Sequence, residues 1–511
     1  MSSRTAKSVK NSYYSLIFYG IELFLKFYSR KIFLEYLGTE LLGLNTTVLN
    51  ILQFLNLAEL GIGVAIAVTL YKPIQANDKN TIGKIVRLQG FLYRRIASCI
   101  MGASVIIMFF FPLIFSKTDL PLYYCYATFI VMLFSTLLGY FINFKQVILE
   151  ASQENYKIQV YYKSWSLFKV LVQIVLVRSL PFPYLWWLIA EIIFSIIATI
   201  SLNSRIQKDY PYLNKLSGTF TELKDKFPQV LKKTKQLFFH KIALFILTQT
   251  SPIIIYAYLS LTAVALYGNY MTIVAGLILL INALFNGFIA GVGNLVAEGQ
   301  RSRIISVFEE LYSIRFFVIS LLCTICFFII QPFISLWIGN EYLLPESTVL
   351  IISLIMFLNM YKLSVETFIN AYGLYQDIYS PIIEGFLNIS LSIILGYFWG
   401  LNGILSGVLI SLGIIQFGWK PFFLYSRGFK IHFSHFIKLF LTHIAILIGS
   451  VICLFVLSRF ISINPYANIG NLLLYTLLLS IGFGSIMICL MYFFTRGFKL
   501  FIHRIHHTIN L

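Results

Sequence analysis

The stretch from Leu41 to Pro73 constrains the fold of this chain more than any other. It is apolar over roughly thirty residues, whereas about 20 helical residues already cross the hydrocarbon of a bilayer. Its middle nevertheless carries four amides and one carboxylate, Asn45, Asn50, Gln53, Asn56 and Glu59. A helix facing lipid would leave these groups without hydrogen-bond partners, at a high energetic cost. We therefore predict a membrane helix whose polar face is turned toward protein and water.

The whole chain repeats this apolar character. Hydrophobic residues make up 59% of the 511 positions and charged residues only 12%, which is typical of a multi-pass membrane protein. Apolar runs separated by loops predict an all-α fold with about fourteen transmembrane helices. The net charge of +19 would suggest nucleic acid in a soluble protein, but here the bases concentrate in alternate loops. That alternation predicts cytoplasmic termini and no nucleic-acid partner.

A long basic loop and an internal repeat predict the domain organisation. The loop from Ser204 to Phe238 mixes lysines with aromatic residues, as in helices that lie on anionic lipid. Short motifs recur at an offset of about 220 to 227 residues, for example FIN at Phe141 and again at Phe368. We predict six-helix lobes at 1–203 and 239–424, a linker at 204–238, and two further helices with a basic tail at 425–511. Two parallel copies place the transport path between the lobes.

Polar stripes at helical spacing predict the residues that line this path. Ionisable groups facing lipid at mid-membrane would cost at least ~2.5–3.5 kcal/mol each, so these must face one another or water. The cavity candidates are Lys26, Arg30, Lys169, Lys362, Asn45, Gln53, Asn56, Asn282 and Asn359. The candidates for binding a coupling ion are Glu22, Glu59, Glu191, Glu366 and Glu384. A simpler interpretation makes Glu22–Lys26 and Lys362–Glu366 intrahelical ion pairs that only hold the bundle together.

Four motifs in the first third of the chain resemble a known family. They are FLEYLG from Phe33, GLN from Gly43, LAELGIG from Leu57 and LYKPI from Leu70. The chain resembles the polysaccharide transporter branch, the Wzx-type O-antigen and repeat-unit flippases, of the multidrug/oligosaccharidyl-lipid/polysaccharide (MOP) exporter superfamily. Weaker matches, ISLWIG from Ile334 and WKPFFLY from Trp419, extend the resemblance over nearly the whole chain.

The resemblance implies a V-shaped fold of two six-helix lobes plus two C-terminal helices. It also implies movement of undecaprenyl-diphosphate-linked oligosaccharide from the inner to the outer leaflet of the bacterial cytoplasmic membrane by alternating access. The cargo would serve surface polysaccharide synthesis, with a polysaccharide polymerase as a possible partner. Lys26, Arg30, Lys169 and Lys362 would bind the diphosphate, and the carboxylates would bind H⁺ or Na⁺. The acids in the stripes make this cavity mixed in sign, which departs from a purely cationic one.

Other functions remain open at this stage. A lipid II flippase performs the same chemistry on a different head group, and a multidrug-type antiporter would share the superfamily. A membrane glycosyltransferase would need a large loop with acidic residues, whereas the longest loop here is short and basic. We predict no catalytic residues, no cofactor and no metal site, because no nucleophile–base pair or phosphate-binding glycine loop is present.

Overall fold

The computed structural model describes residues 4–59, 62–214, 218–228, 230–231, 234, 250–286, 288–374, 376–377 and 379–509. Regular structure in these residues is helical, and they contain no β-strand. The all-α, multi-pass prediction is thereby confirmed. The chain divides into two compact units, unit one from Met1 to Ala265 and unit two from Leu266 to Leu511. The domain boundaries predicted from the loops stay a prediction.

Unit one begins with a 52-residue helix and continues with shorter ones. Its helices are α1 Arg4–Leu55, α2 Ile62–Gln75, α3 Lys79–Phe109, α4 Phe111–Ile114, α5 Leu122–Phe141, α6 Val147–Ala151, α7 Tyr156–Ile158, α8 Ser164–Ser179, α9 Pro183–Asp209 and α10 Phe220–Lys226. A π-helical turn, Gln159–Lys163, joins α7 to α8, and 3₁₀ turns lie at Asn56–Glu59, Asn143–Gln146 and Pro211–Asn214. Residues 250–258 are also helical.

Unit two is also helical in the described residues. The division between the units falls inside its first helix. Its helices are α11 Leu261–Asn286, α12 Phe288–Glu298, α13 Arg301–Ile338, α14 Glu346–Tyr361, α15 Leu363–Ala371, α16 Tyr379–Leu412, α17 Lys420–Phe423, α18 Ser434–Ser458, α19 Ile469–Phe494 and α20 Arg496–Ile509. A 3₁₀ turn lies at Asn340–Tyr342, and π-helical turns flank α17 at Gly413–Trp419 and Leu424–Phe429. The core includes fully buried aromatic rings, such as Tyr312 and Tyr361 with centroids 4.7 Å apart.

Two of the long helices are broken by glycine. Gly38 in α1 (φ 80°, ψ 174°) and Gly400 in α16 (φ 55°, ψ −131°) leave the helical conformation. At Gly400 the chain turns back on itself. The two arms approach so closely that a Cβ at Gly403 would lie 1.9 Å from the carbonyl oxygen of Leu395. Only glycine allows such close backbone approach. The two arms of α16 are therefore packed antiparallel.

Ten helices in the described chain are long and apolar enough to cross a membrane. One of these, Tyr379–Phe429, has 51 residues and contains the turn at Gly400, so it comprises two arms rather than one span of about 75 Å. Helix α1 is too polar to be among the ten, and residues 235–249 lie outside the described residues. The total of fourteen spans stays a prediction.

The backbone supports the predicted duplication. The turn after α6 and the turn after α15 share one hydrogen-bond pattern at an offset of 220 residues. In the first turn, the amides of residues 152, 153 and 154 donate to the carbonyls of residues 148, 150 and 149, respectively. In the second, the amides of residues 372, 373 and 374 donate to the carbonyls of residues 368, 370 and 369. Both turns place a left-handed residue at their centre, Gln153 (φ 57°) and Gly373 (φ 64°). The turn before α3 and the turn before α13 also correspond, with left-handed Asn77 and Gly299 at an offset of 222. Each unit therefore contains the same succession of turns.

Candidate functional site

Unit one contains a polar cavity of about 870 Å³. Both arms of α1 line it together with residues of α5, α8 and α9, because the break at Gly38 lets the two arms share one cavity. Six charged side chains reach it: Glu22, Lys26, Arg30, Lys163, Lys169 and Glu191. Four bases and two acids leave a formal excess of two positive charges. Five of these six were predicted from helical spacing, and Asn45 joins them.

One ion pair in the cavity links α8 to α9. Lys169 Nζ lies 2.7 Å from Glu191 Oε1, and both side chains are only about one-fifth exposed, at 19% and 20%. Gln173, one helical turn beyond Lys169, donates from Nε2 to Glu191 Oε2 at 3.4 Å and to the Trp187 carbonyl at 3.1 Å. Glu191 therefore has one cationic partner and one amide partner, both from α8.

A second ion pair links α1 to the π-helical turn. Lys163 Nζ lies 2.7 Å from Glu22 Oε2, with side chains 41% and 48% exposed. The alternative interpretation of an intrahelical Glu22–Lys26 ion pair is wrong, because the Glu22 carboxylate pairs with Lys163 on another segment. The Lys26 ammonium consequently has no ion pair or hydrogen bond within the described chain. Lys163 was missed as a cavity residue, although its spacing to Ser166 and Lys169 continues the same helical stripe.

Arg30 and Asn45 also line the cavity, and each forms a hydrogen bond. Arg30 donates from Nη2 to the carbonyl of Ala265 at 3.2 Å, which fixes its guanidinium at the edge of the cavity. Asn45 is 7% exposed, and its Oδ1 accepts from the Tyr184 hydroxyl at 3.1 Å. The hydroxyl and amide groups of the wall suit sugars, and the ammonium groups suit an anion.

Three predicted residues of the same stretch do not line this cavity. Glu59 accepts from the hydroxyls of Tyr93 at 2.7 Å and Tyr140 at 2.8 Å, and Asn56 Oδ1 accepts from Tyr140 at 3.1 Å. Gln53 is exposed elsewhere on α1. The 3₁₀ turn after α1 thus turns Asn56 and Glu59 toward tyrosines of α3 and α5.

The remaining predicted residues belong to unit two. Glu384 is 1% exposed and accepts from Gln416 Nε2 at 2.7 Å, with the charges of Lys362, Lys420 and Glu366 acting on it. Lys362 and Glu366 form no ion pair with each other among the residues described, so that intrahelical interpretation is also wrong. Asn359 donates to its own helix at Ile355, 3.1 Å away, and Asn282 Oδ1 is buried without a partner in the described chain.

Sequence reasoning also missed a buried arginine. Arg315 falls within the basic pattern, yet it lies inside α13 and is 4% exposed. Its Nη1 donates to Thr367 Oγ1 at 3.2 Å, and its guanidinium lies 4.9 Å from the centroid of Phe285. No local signal separates a buried arginine from a loop arginine near the start of a span.

Solved structures of transporters have folds similar to that of this chain. The lipid II flippase MurJ, in an inward closed conformation, matches with a TM-score of 0.64 and 16% identity over 93% of this chain and 98% of MurJ. A multidrug resistance MATE family transporter of the MOP superfamily matches with a TM-score of 0.59 in an inward-facing conformation, at 14% identity over 80% of this chain and 95% of that chain. An outward-facing MATE structure gives a TM-score of 0.53, at 14% identity over 82% and 96% of the two chains.

No protein-family model matches the chain. No curated protein matches it either. At 14–16% identity the structural similarity establishes the fold. Its agreement over nearly the full length of each neighbour leads to one conclusion: this chain has the fold of the MOP superfamily transporters.

Proposed function

We propose that the chain is a flippase that moves undecaprenyl-diphosphate-linked oligosaccharide repeat units from the inner to the outer leaflet of the bacterial cytoplasmic membrane. It is a transport protein and not an enzyme, and it works by alternating access coupled to an ion. The observation that carries the proposal is the cavity of unit one. There, four bases and two acids line one polar space, and the Lys26 ammonium has no ion pair or hydrogen bond within the described chain.

The chemistry of the cavity suits a lipid-linked diphosphate. The isoprenoid tail can stay in hydrocarbon, whereas the diphosphate and the sugars must stay in a polar environment. Charge-assisted hydrogen bonds from Lys26, Arg30 and Lys169 would hold the phosphates, and the hydroxyl and amide groups would hold the sugars. An inside-negative membrane potential favours outward movement of an anion by roughly 2.3 kcal/mol per charge per 100 mV.

A second candidate, a lipid II flippase, is favoured by one observation. The similarity to MurJ extends over 93% of this chain, whereas the similarity to the MATE transporter covers 80%. Both flippase candidates carry a diphosphate, so they make the same demand on Lys26. A MATE-like antiporter of small molecules is the least supported, because the excess of bases disfavours an organic cation. The proposal retains the predicted cytoplasmic termini and a polysaccharide polymerase as partner.

A substrate panel tests the proposal. The purified full-length chain is reconstituted in proteoliposomes with three cargoes in turn: an undecaprenyl-diphosphate-linked oligosaccharide, lipid II and a fluorescent organic cation. We expect the first cargo to cross fastest, with protection from an external glycosidase as the readout. Faster transfer of lipid II would favour the second candidate. Movement of the organic cation alone would overturn both flippase functions.

A further inference from the structure

The C-terminal helix α20 of unit two has two different faces and lies outside the site described above. One face is basic, because Arg496 and His503 are exposed and Lys499 is half-buried. Gly497 and Phe498 are buried on another side of the helix. At about 100° per residue, the three basic positions lie within roughly one-sixth of the circumference, on the side away from Phe498. Helix α20 is therefore amphipathic.

The face with Gly497 and Phe498 packs against α13. A Cβ at Gly497 would lie 2.2 Å from the carbonyl oxygen of Glu309, so the two backbones are in direct contact. Phe498 is 5% exposed, and the centroid of its ring lies 5.6 Å from that of Phe317. This packing determines which face of α20 stays exposed.

The charges at this end of unit two are sorted between inside and outside. Glu309 and Glu310 of α13 are only 4% and 3% exposed. Arg504 Nη2 of α20 lies 2.7 Å from Glu310 Oε2, and His435 Nε2 of α18 lies 2.8 Å from Glu309 Oε1. Lys438, about one turn further along α18, is exposed. The two acids are therefore covered, whereas the bases beside them stay exposed.

The position of α20 along the chain places its basic face at a membrane surface. Helix α19 is long and apolar enough to cross a membrane, and it ends at Phe494. Its last residues, Tyr492, Phe493 and Phe494, are exposed, and only Thr495 separates them from Arg496. Exposed aromatic residues that are followed at once by bases are typical of the level of the lipid headgroups.

We infer that the face of α20 formed by Arg496, Lys499 and His503 binds the headgroups of anionic phospholipids, such as phosphatidylglycerol. The net negative charge of these headgroups complements the guanidinium and ammonium groups of that face. Because α13 already holds the other side of the folded helix, little conformational entropy is lost on binding. The inference concerns the membrane around the protein and does not rest on the proposed function.

Hydrogen exchange of the full chain in lipid nanodiscs tests the inference. The backbone amides of α20 are followed in phosphatidylcholine alone and in equal parts of phosphatidylcholine and phosphatidylglycerol. A ligand that binds the docked helix better than the open one slows this exchange. Each base near an anionic surface strengthens binding about fivefold, so we expect exchange at least about fivefold slower with phosphatidylglycerol. Most of the slowing should vanish at about 1 M salt, because the screening length falls to ~3 Å.

Two matched double variants separate charge from packing. Arg496→Gln with Lys499→Gln removes two charges, and we expect its α20 amides to exchange at nearly the same rate in both lipid mixtures. Arg496→Lys with Lys499→Arg keeps both charges at the same positions and should retain the slowing of the wild type.

Equal exchange of the wild-type α20 amides in the two lipid mixtures would overturn the inference. Slowing that persists at high salt, or in Arg496→Gln with Lys499→Gln, would also overturn it. The salt series needs no substitution, so it decides the matter even where a variant fails to fold. Slowing by polyglutamate in phosphatidylcholine, with no effect of phosphatidylglycerol, would assign the face to an acidic protein and contradict the lipid assignment.

Discussion

Replacing Lys169 with alanine tests how much the ion pair between α8 and α9 stabilises unit one. The substitution leaves the Glu191 carboxylate one-fifth exposed, with only the Gln173 amide as a partner. Breaking a fully buried pair costs about 3–5 kcal/mol, and the partial exposure here lowers the expectation to about 2–3 kcal/mol in the free energy of unfolding. Lys163→Ala breaks a pair of the same 2.7 Å length. Because that pair is nearly half exposed, its loss should cost less than about 1 kcal/mol.

The assay is equilibrium unfolding of both variants in detergent micelles, beside the double variant Lys169→Gln with Glu191→Gln. The double variant should recover most of the stability lost in Lys169→Ala, because no unpaired charge remains. If Lys169→Ala and Lys163→Ala lose the same stability, the reasoning from burial is refuted. The same conclusion would follow if the double variant were less stable than Lys169→Ala.

Two further predictions address the hairpin of α16 in unit two and the turn after α6 in unit one. Gly403→Ala would force a Cβ to 1.9 Å from the Leu395 carbonyl oxygen and should destabilise the protein by at least about 1–3 kcal/mol in thermal unfolding, whereas Gly102→Ala, which meets open space, should be neutral. Equal melting of the two variants would contradict the close approach at Gly403. Burial raises the pKa of Glu154, but hydrogen bonds from Lys157 and Lys7 outweigh it and hold that pKa below its usual value. The stability that Glu154 contributes is therefore present at neutral pH and is lost as the pH falls through the lowered pKa. The difference in unfolding free energy between the wild type and Glu154→Gln should accordingly shrink on acidification. A difference that stays constant between about pH 7 and pH 3 would contradict this prediction.

Part of the cavity lining of unit one could be predicted from the sequence, because helical spacing decides which side chains of one helix share a face. Lys26 and Arg30 on α1, and Lys169 on α8, follow this rule and meet at one cavity. The ion pairs could not be predicted, because they join different segments. Glu22 lies one helical turn from Lys26, yet it pairs with Lys163, which only tertiary packing brings within 2.7 Å.

The breaks at Gly38 and Gly400 have a local cause. Both residues have a positive φ, which glycine adopts without strain. The placement of Asn56 and Glu59 in the cavity was wrong, although both residues continue the helical stripe that contains Asn45. A 3₁₀ turn changes the angular spacing at that point, so these two side chains meet Tyr93 and Tyr140 instead.

The central claim is that the cavity of unit one binds the diphosphate of a lipid-linked saccharide, and the transport rate of a Lys26 variant tests it most directly. Lys26→Ala, Lys26→Arg and the control Lys31→Ala, an exposed lysine of α1 outside the cavity, are reconstituted at equal protein content. Loss of one charge-assisted contact of about 1.5–3 kcal/mol predicts transfer at least about tenfold slower for Lys26→Ala. Lys26→Arg should retain most of the activity, and Lys31→Ala should match the wild type. Wild-type transfer of the saccharide by Lys26→Ala would contradict the account.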